Sequence, residues 1–206
     1  MKAVIFSGGE IGNYDKVKKY LSGSNLIICA DSGLEHAFNM GVIPDILVGD
    51  MDSISPATIK KAQKLGIEKH NFPSEKDFTD TELALDIALA KGASEAIILG
   101  GLGDRPDHSL ANIFLMVSFK KLGLHLKLAD EYWEIFLIDK PIEVCGKKGN
   151  TLSLIPISPE VTGVTTEGLY YPLKDETLFM GPARGISNIF LGHTAKISIK
   201  QGLLLA

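Results

Sequence analysis

Short apolar runs alternate with segments of helical period through the first two thirds of the chain. Lys2 to Phe6 and residues 26–29, 46–48, 96–99 and 124–129 are largely apolar stretches, the pattern of strands covered on both faces in a parallel sheet. Between them, residues 14–21, 32–40, 57–65, 79–91 and 109–121 read as helices. Start signals agree: Asn13 as a cap, Ser55 followed by Pro56, and Thr79 with Glu82 three residues on as a capping box. Residues 67–72 read as a further strand, 73–78 as a loop and 133–138 as the last strand of this part. From Pro141 the texture changes to short strand candidates, at residues 142–145, 151–155, 161–166, 177–180, 186–190 and 195–199, separated by turn residues. Strand–helix units followed by strands alone predict two domains. Residues 1–140 form a Rossmann-like α/β domain with an open, mostly parallel sheet flanked by helices; residues 141–206 form a small all-β sandwich or barrel.

The apolar runs matter most for what they end on. The second delivers Ala30-Asp31, the third Gly49-Asp50-Met51-Asp52, and in an open parallel sheet that edge is where ligands bind. Asp50 and Asp52, two apart in an extended segment, point the same way and can face one cation. Oxygen-only ligands favour a hard ion such as Mg²⁺. The competing reading makes these acids caps and turn residues; it is preferred for Asp45 after Pro44, and spacing alone leaves it level for Asp50 with Asp52. Asp77 and Asp80 are open in the same way, since Asp80 falls in a first helical turn, where the dipole favours any carboxylate. Residues 100–108, Gly-Gly-Leu-Gly-Asp-Arg-Pro-Asp-His, have the glycines and the basic residue of a phosphate-binding turn before a helix. The competing reading has ordinary parts: a common Gly-rich turn, a solvated Arg105, and Asp107 as the cap of that helix. The Ser7-Gly8-Gly9 turn lacks the Gly-x-Gly-x-x-Gly spacing and counts for little alone. Acids and a glycine-rich basic loop on successive strand ends together suit a nucleoside triphosphate.

Composition narrows the setting. The 206 residues are 45% apolar with a net charge of −4, enough for a real core and without a basic stripe for nucleic acid. Cys29 and Cys145 sit in apolar surroundings without metal-site spacing and are expected to be buried free thiols in a reducing cytosol. No stretch has the length of a signal or membrane segment, so a cytoplasmic protein without membrane partners is expected.

The ordered motifs Ala30-Asp31-Ser32-Gly33, Gly41-Val42-Ile43-Pro44-Asp45, Gly49 to Ser53, Lys76-Asp77-Phe78-Thr79-Asp80 and Gly100 to His108 with Asn112 resemble those of the thiamine pyrophosphokinases. Past the domain boundary, Thr151 to Pro156, Gly168 to Leu173 and Gly185-Ile186-Ser187-Asn188 are similar to that family's small β domain. The resemblance implies Mg²⁺-dependent transfer of diphosphate from ATP to thiamine, giving thiamine diphosphate and AMP, in a homodimer with sites at the dimer interface. Asp50, Asp52 and Asp80 match the acidic metal site, with Asp31 and Asp77 beside it as alternative general bases. Lys76, Gly101, Gly103, Arg105, His108 and Asn112 match the ATP side; Ser187 and Asn188 match the thiamine side, with Phe190 as an aromatic face for the pyrimidine. Ser32 and Asp104 stand where many relatives carry glycine. The rival readings are a thiamine- or nucleotide-binding protein without chemistry and a Mg²⁺-dependent phosphohydrolase.

Overall fold

The computed structural model describes residues 1–73 and 75–206; Ser74, in the expected loop 73–78, lies outside the described residues. The chain divides into two compact units, Met1–Glu134 and Ile135–Ala206, a few residues before the expected boundary at 140.

The first unit carries β1 (Lys2–Phe6), α1 (Tyr14–Val17), β2 (Leu26–Ala30), α2 (Gly33–Asn39), β3 (Ile46–Gly49), α3 (Pro56–Lys64), β4 (Glu68–Asn71), α4 (Asp80–Ala90), β5 (Glu95–Leu99), α5 (Pro106–Lys121) and β6 (His125–Ala129). Its strands run parallel in the order β6-β5-β1-β2-β3-β4. Register aligns their C-terminal ends: Phe6 pairs with both Cys29 and Leu99, and Ala30 with Val48. Ser7, Gly100, Asp31 and Asp50 therefore leave the sheet along one rim. Central strands alternate between two covered faces. Val4 and Phe6 pack with Leu34, Ala37 and Ala62 of α2 and α3, while Ala3 and Ile5, on the opposite face, are equally buried.

Helix starts follow the capping chemistry. Thr58 N–H donates to Ser55 Oγ at 3.1 Å with Pro56 in the first turn, and Glu82 N–H donates to Thr79 Oγ1 at 3.2 Å. The helix expected over 14–21 is instead one α-turn followed by a 3₁₀ turn at Lys18–Leu21. Lys2 Nζ takes the carbonyls of Tyr20 and Ser22 at 2.7 and 2.8 Å, partners that substitute for a continued helical ladder. Gly33 opens α2 against the end of β1, where a Cβ would stand 2.1 Å from the Phe6 carbonyl oxygen. Only glycine permits that approach.

The second unit begins with β7 (Glu134–Ile138) and continues through β8 (Ile142–Cys145), β9 (Thr151–Leu152), β10 (Ile155–Pro156), β11 (Glu160–Glu167), β12 (Glu176–Phe179), β13 (Asn188–Ile189), β14 (Thr194–Ser198) and β15 (Leu204–Leu205). Antiparallel groups run β10-β15-β7, β12-β11-β14-β8 and β13-β9. Leu154, Val161, Val164, Leu178, Phe190 and Ile197 fill its core. The strand expected over 151–155 divides in two, because Leu154 N–H leaves the ladder to donate to Gly185 O at 2.9 Å. Cys145 corrects the expectation of burial: it ends the edge strand β8 and is exposed. No helix among the described residues is long and apolar enough to cross a membrane.

Candidate active site

Asp31 is the first residue beyond β2 and holds a left-handed φ of 49°. Its amide donates to Val48 O at 2.8 Å, and Ser53 Oγ donates to Asp31 Oδ2. The other oxygen, Oδ1, is buried with no hydrogen-bond partner among the described residues. Asp50 follows β3, but the route to Asp52 is not the extended segment expected from the spacing. Met51 has φ 66°, and Asp52 N–H turns back to donate to Asp50 Oδ1 at 3.1 Å. This tight turn, rather than strand alternation, brings the two acids together. One carboxylate oxygen from each of Asp31, Asp50 and Asp52 lies within 4.8 Å of the others. Two non-glycine residues with positive φ in one acidic cluster is strain of the kind concentrated at functional sites.

Asp80 opens α4 on the far side of Gly49, where a Cβ would meet Asp31 Cβ at 3.3 Å and Asp80 Cγ at 3.4 Å. Lys76 Nζ stands 2.9 Å from Asp80 Oδ1 and donates to Pro73 O at 3.1 Å. The contact with Asp80 is an ion pair without hydrogen-bond alignment, so among the described residues this buried oxygen also lacks a hydrogen bond. Asp77 is exposed and does not border the cavity described below. Burial is the largest influence raising the Asp31 carboxyl above its ordinary value; the Ser53 hydrogen bond opposes it, and the charges of Asp80, Asp50 and Asp52 add to it. Asp52 is raised chiefly by its hydrogen bond and charge interaction with Asp50. An uncompensated acidic cluster favours a cation.

Beside the acids lies a cavity of about 300 Å³. Its walls are the turn after β1 (Ser7, Gly8, Gly9), Asp31 and Ser32 after β2, Ser53, the start of α4 (Thr79, Asp80, Thr81), the loop from Gly100 to Arg105, and His108, Ser109 and Asn112 on α5. Hydrogen bonds lock the two glycine turns together: Ser7 N–H to Leu99 O at 2.8 Å and Gly9 N–H to Gly100 O at 2.9 Å. Asn112, 5% exposed, donates Nδ2–H to Gly101 O at 2.7 Å, and Gly103 N–H donates to Ser109 Oγ at 3.2 Å. Asn112 thus braces the loop from beneath.

A second brace reaches Gly9 from α2. Because a carbonyl only accepts, His36 Nε2 carries the proton it gives to Gly9 O at 2.8 Å. Nδ1 then accepts from Tyr14 Oη at 2.9 Å, and that hydroxyl accepts from Asn39 Nδ2 at 3.1 Å. Burial holds the imidazole below its usual value and so neutral. Arg105 borders the cavity with its guanidinium 2.6 Å from Asp107 Oδ2. The helix starts three residues earlier than expected, at Pro106, with Arg105 at the cap, so Asp107 is a first-turn acid and not the cap. Ser7, Ser53 and Thr81 were not singled out by their sequence context. The position of Ser7 directly after an apolar strand is the signal that was available for it.

In the β unit, Ser187 is exposed, has φ 56° and donates its amide to Ser153 Oγ at 3.0 Å. Asn188 is 5% exposed; its Oδ1 accepts from Tyr171 N–H at 2.9 Å and its Nδ2 donates to Tyr171 O at 2.7 Å. Phe190, 3% exposed, packs its ring over Gly146 in the core, so the pyrimidine face expected of it is turned inward.

An acidic cluster beside a glycine-walled cavity on the C-terminal rim of a parallel sheet defines an α/β protein with its pocket where such sheets bind ligands. Residues 17–128 match the family description "Thiamin pyrophosphokinase, catalytic domain" and residues 138–204 match "Thiamin pyrophosphokinase, vitamin B1 binding domain". The chain belongs to the thiamin pyrophosphokinase family, whose reaction is ATP-dependent diphosphate transfer. It is 31% identical over 208 residues to the thiamine pyrophosphokinase of Bacillus subtilis, covering 100% of this chain and 97% of that one. It is 28% identical over 207 residues to thiamine pyrophosphokinase 1 of Oryza sativa, covering 88% of this chain and 78% of the relative. The Bacillus subtilis crystal structure superposes with a TM-score of 0.89 at 28% identity, covering 100% and 97% of the two chains. The Candida albicans thiamin pyrophosphokinase, at 18% identity and TM-score 0.82 over 99% and 87% of the two chains, shares the fold.

Proposed function

We propose that this protein transfers diphosphate from ATP to the hydroxyl of thiamine, yielding thiamine diphosphate and AMP. The observation that carries the reading is the acidic cluster, in which one carboxylate oxygen from each of Asp31, Asp50 and Asp52 lies within 4.8 Å of the others, while Asp31 keeps a buried Oδ1 without a partner among the described residues. A divalent cation supplies the partner these oxygens lack, and oxygen-only ligands fit Mg²⁺. Asp50 and Asp52 would hold it, with Asp31 and Asp80 flanking. When bound, Mg²⁺ neutralises phosphate charge.

The thiamine oxygen attacks the β-phosphorus, forming a new O–P bond; the bond from that phosphorus to the α,β-bridging oxygen breaks and AMP leaves. Of the two candidate bases, Asp31 borders the cavity and Asp77 does not, which favours Asp31 as acceptor of the thiamine hydroxyl proton. The turns at Gly8 and Gly101 let the phosphates approach the backbone closely, with Gly9 and Gly103 holding the turns in shape through their own amide hydrogen bonds, while Arg105, Lys76 and His108 supply cationic or hydrogen-bonding contacts. Asn112 orients the Gly101 turn. On the acceptor side, exposed Ser187 is a direct contact, Asn188 fixes the backbone beside it and Phe190 underpins both. A homodimer in the cytoplasm, with sites at the dimer interface, completes the reading.

The test is a mass-resolved product assay with ATP, thiamine and MgCl₂. Thiamine diphosphate and AMP in equal amounts, abolished by EDTA, support it. ADP or free phosphate without a thiamine product refutes it.

A further inference from the structure

Ser7 and Thr81 sit 74 positions apart in sequence, yet their hydroxyls meet at 2.8 Å on the cavity wall. Both are more than nine-tenths buried, at 9% and 6% exposure. Among the described residues, neither hydroxyl makes another hydrogen bond. Two hydroxyls carry two protons, and a single bond between them uses one. The second proton has no acceptor among the described residues. The buried carboxylate oxygens Asp31 Oδ1 and Asp80 Oδ1 do not take it, since neither has a hydrogen bond there. On the same wall the Gly9 amide is already taken by Gly100 and the Asn112 amide group by Gly101. A buried donor left unmatched is costly and rare, so a group that arrives in the cavity is its natural acceptor.

We propose that the Ser7–Thr81 hydroxyl pair binds the nucleotide, one hydroxyl orienting the other so that the remaining proton is donated to an oxygen of the phosphate chain or the ribose. The inference rests on the ATP reading above. The hydrogen bond between them narrows the rotation of both hydroxyls before the ligand enters, and the two residues belong to different elements, the turn after β1 and the first turn of α4. The pair therefore also reports whether those two walls are in register.

Replacing both hydroxyls by groups of similar shape leaves no orphaned partner, so Ser7→Ala/Thr81→Val is expected to fold with a melting temperature close to that of the parent. Calorimetry with ATP and MgCl₂ should show its Kd raised about tenfold, the loss of one hydrogen bond to a charged or strongly polar acceptor. Thr81→Ser, which keeps the hydroxyl, should bind ATP as the parent does, and the KM for thiamine should not move in either variant. The single variants Ser7→Ala and Thr81→Val identify the donor, as the one with the larger loss. A loss repeated with inorganic pyrophosphate places the contact on the phosphate chain, and one repeated with adenosine places it on the ribose. An unchanged ATP Kd in the double variant overturns the proposal, as does a loss that Thr81→Ser shares and that tracks a fall in melting temperature. A parent protein that binds no ATP overturns this inference and the functional reading together; one that binds ATP equally well with and without the hydroxyls overturns this inference alone.

Discussion

Asp31→Asn removes one charge from the acidic cluster while keeping an oxygen that can accept from Ser53. In the metal-free protein it should be stabilising. Carboxylate oxygens of Asp31 and Asp50 at the 4.8 Å limit repel by about 0.9 kcal/mol at the dielectric of water and about 3.5 kcal/mol at an effective value of ~20. Asp31 is half-buried, so solvent screening favours the lower end, about 1 kcal/mol. For a chain of this size that is a rise of about 2–4 °C in melting temperature in EDTA. The pH dependence has a definite sign. A carboxyl whose folded value is raised binds more protons folded than unfolded, so metal-free stability falls as pH climbs from the ordinary carboxylate range through the raised value. Asp31→Asn should flatten that decline. With Mg²⁺ the order reverses: at a hundred times its Kd a bound metal adds about 2.7 kcal/mol to the parent, and the variant gains less. Turnover should fall more than about 100-fold, beyond what loss of a metal's outer partners costs. Differential scanning fluorimetry with EDTA or MgCl₂, paired with the product assay, measures all of this. A variant that melts lower in EDTA, or gains as much from Mg²⁺ as the parent, refutes the reasoning.

Asn112→Leu keeps the side-chain size but leaves the Gly101 carbonyl unpaired; it should cost about 1–3 kcal/mol, lower the melting temperature by about 2–12 °C and raise the KM for ATP more than that for thiamine. Ellman's reagent should titrate Cys145 at once and Cys29 only after denaturation, because burial both shields the Cys29 thiol and pushes its titration upward. Two rapidly reacting thiols would contradict the fold around β2.

The parts of the site legible in the sequence are those set by chain-local rules. Apolar runs that stop on Asp31 and Asp50 place these acids at strand ends, and Ser55-Pro56 and Thr79 announce their helices, because capping is settled within a few residues. What escaped depends on partners far along the chain. The spacing of Asp50 and Asp52 is compatible with a strand, and the left-handed Met51 that turns them together was not read from it. Leu204–Leu205 is too short to read as a strand until β10 and β7 are beside it. Cys145 has the apolar neighbours of a buried residue, and only the place of β8 at a sheet edge exposes it. The expectation that Ser187, Asn188 and Phe190 face thiamine comes from family resemblance alone; in the structure Asn188 is held by Tyr171 and Phe190 is buried, beside the exposed Ser187.

The central place of β1 in its sheet also fixes an order of events during synthesis. One neighbour, β2, follows it closely, but the other is β5, with Lys2 opposite Glu95. At about 5–20 residues per second the first strand waits on the order of 5–20 s for that second edge to be made. During this interval Ala3 to Phe6 have an open flank, and the turn at Ser7 to Gly9 lacks the Gly100 to Gly103 wall it later faces. On the ribosome, then, the acids after β2 and β3 exist before the cavity beside them, and any ligand of that cavity can protect only chains that have grown past α5.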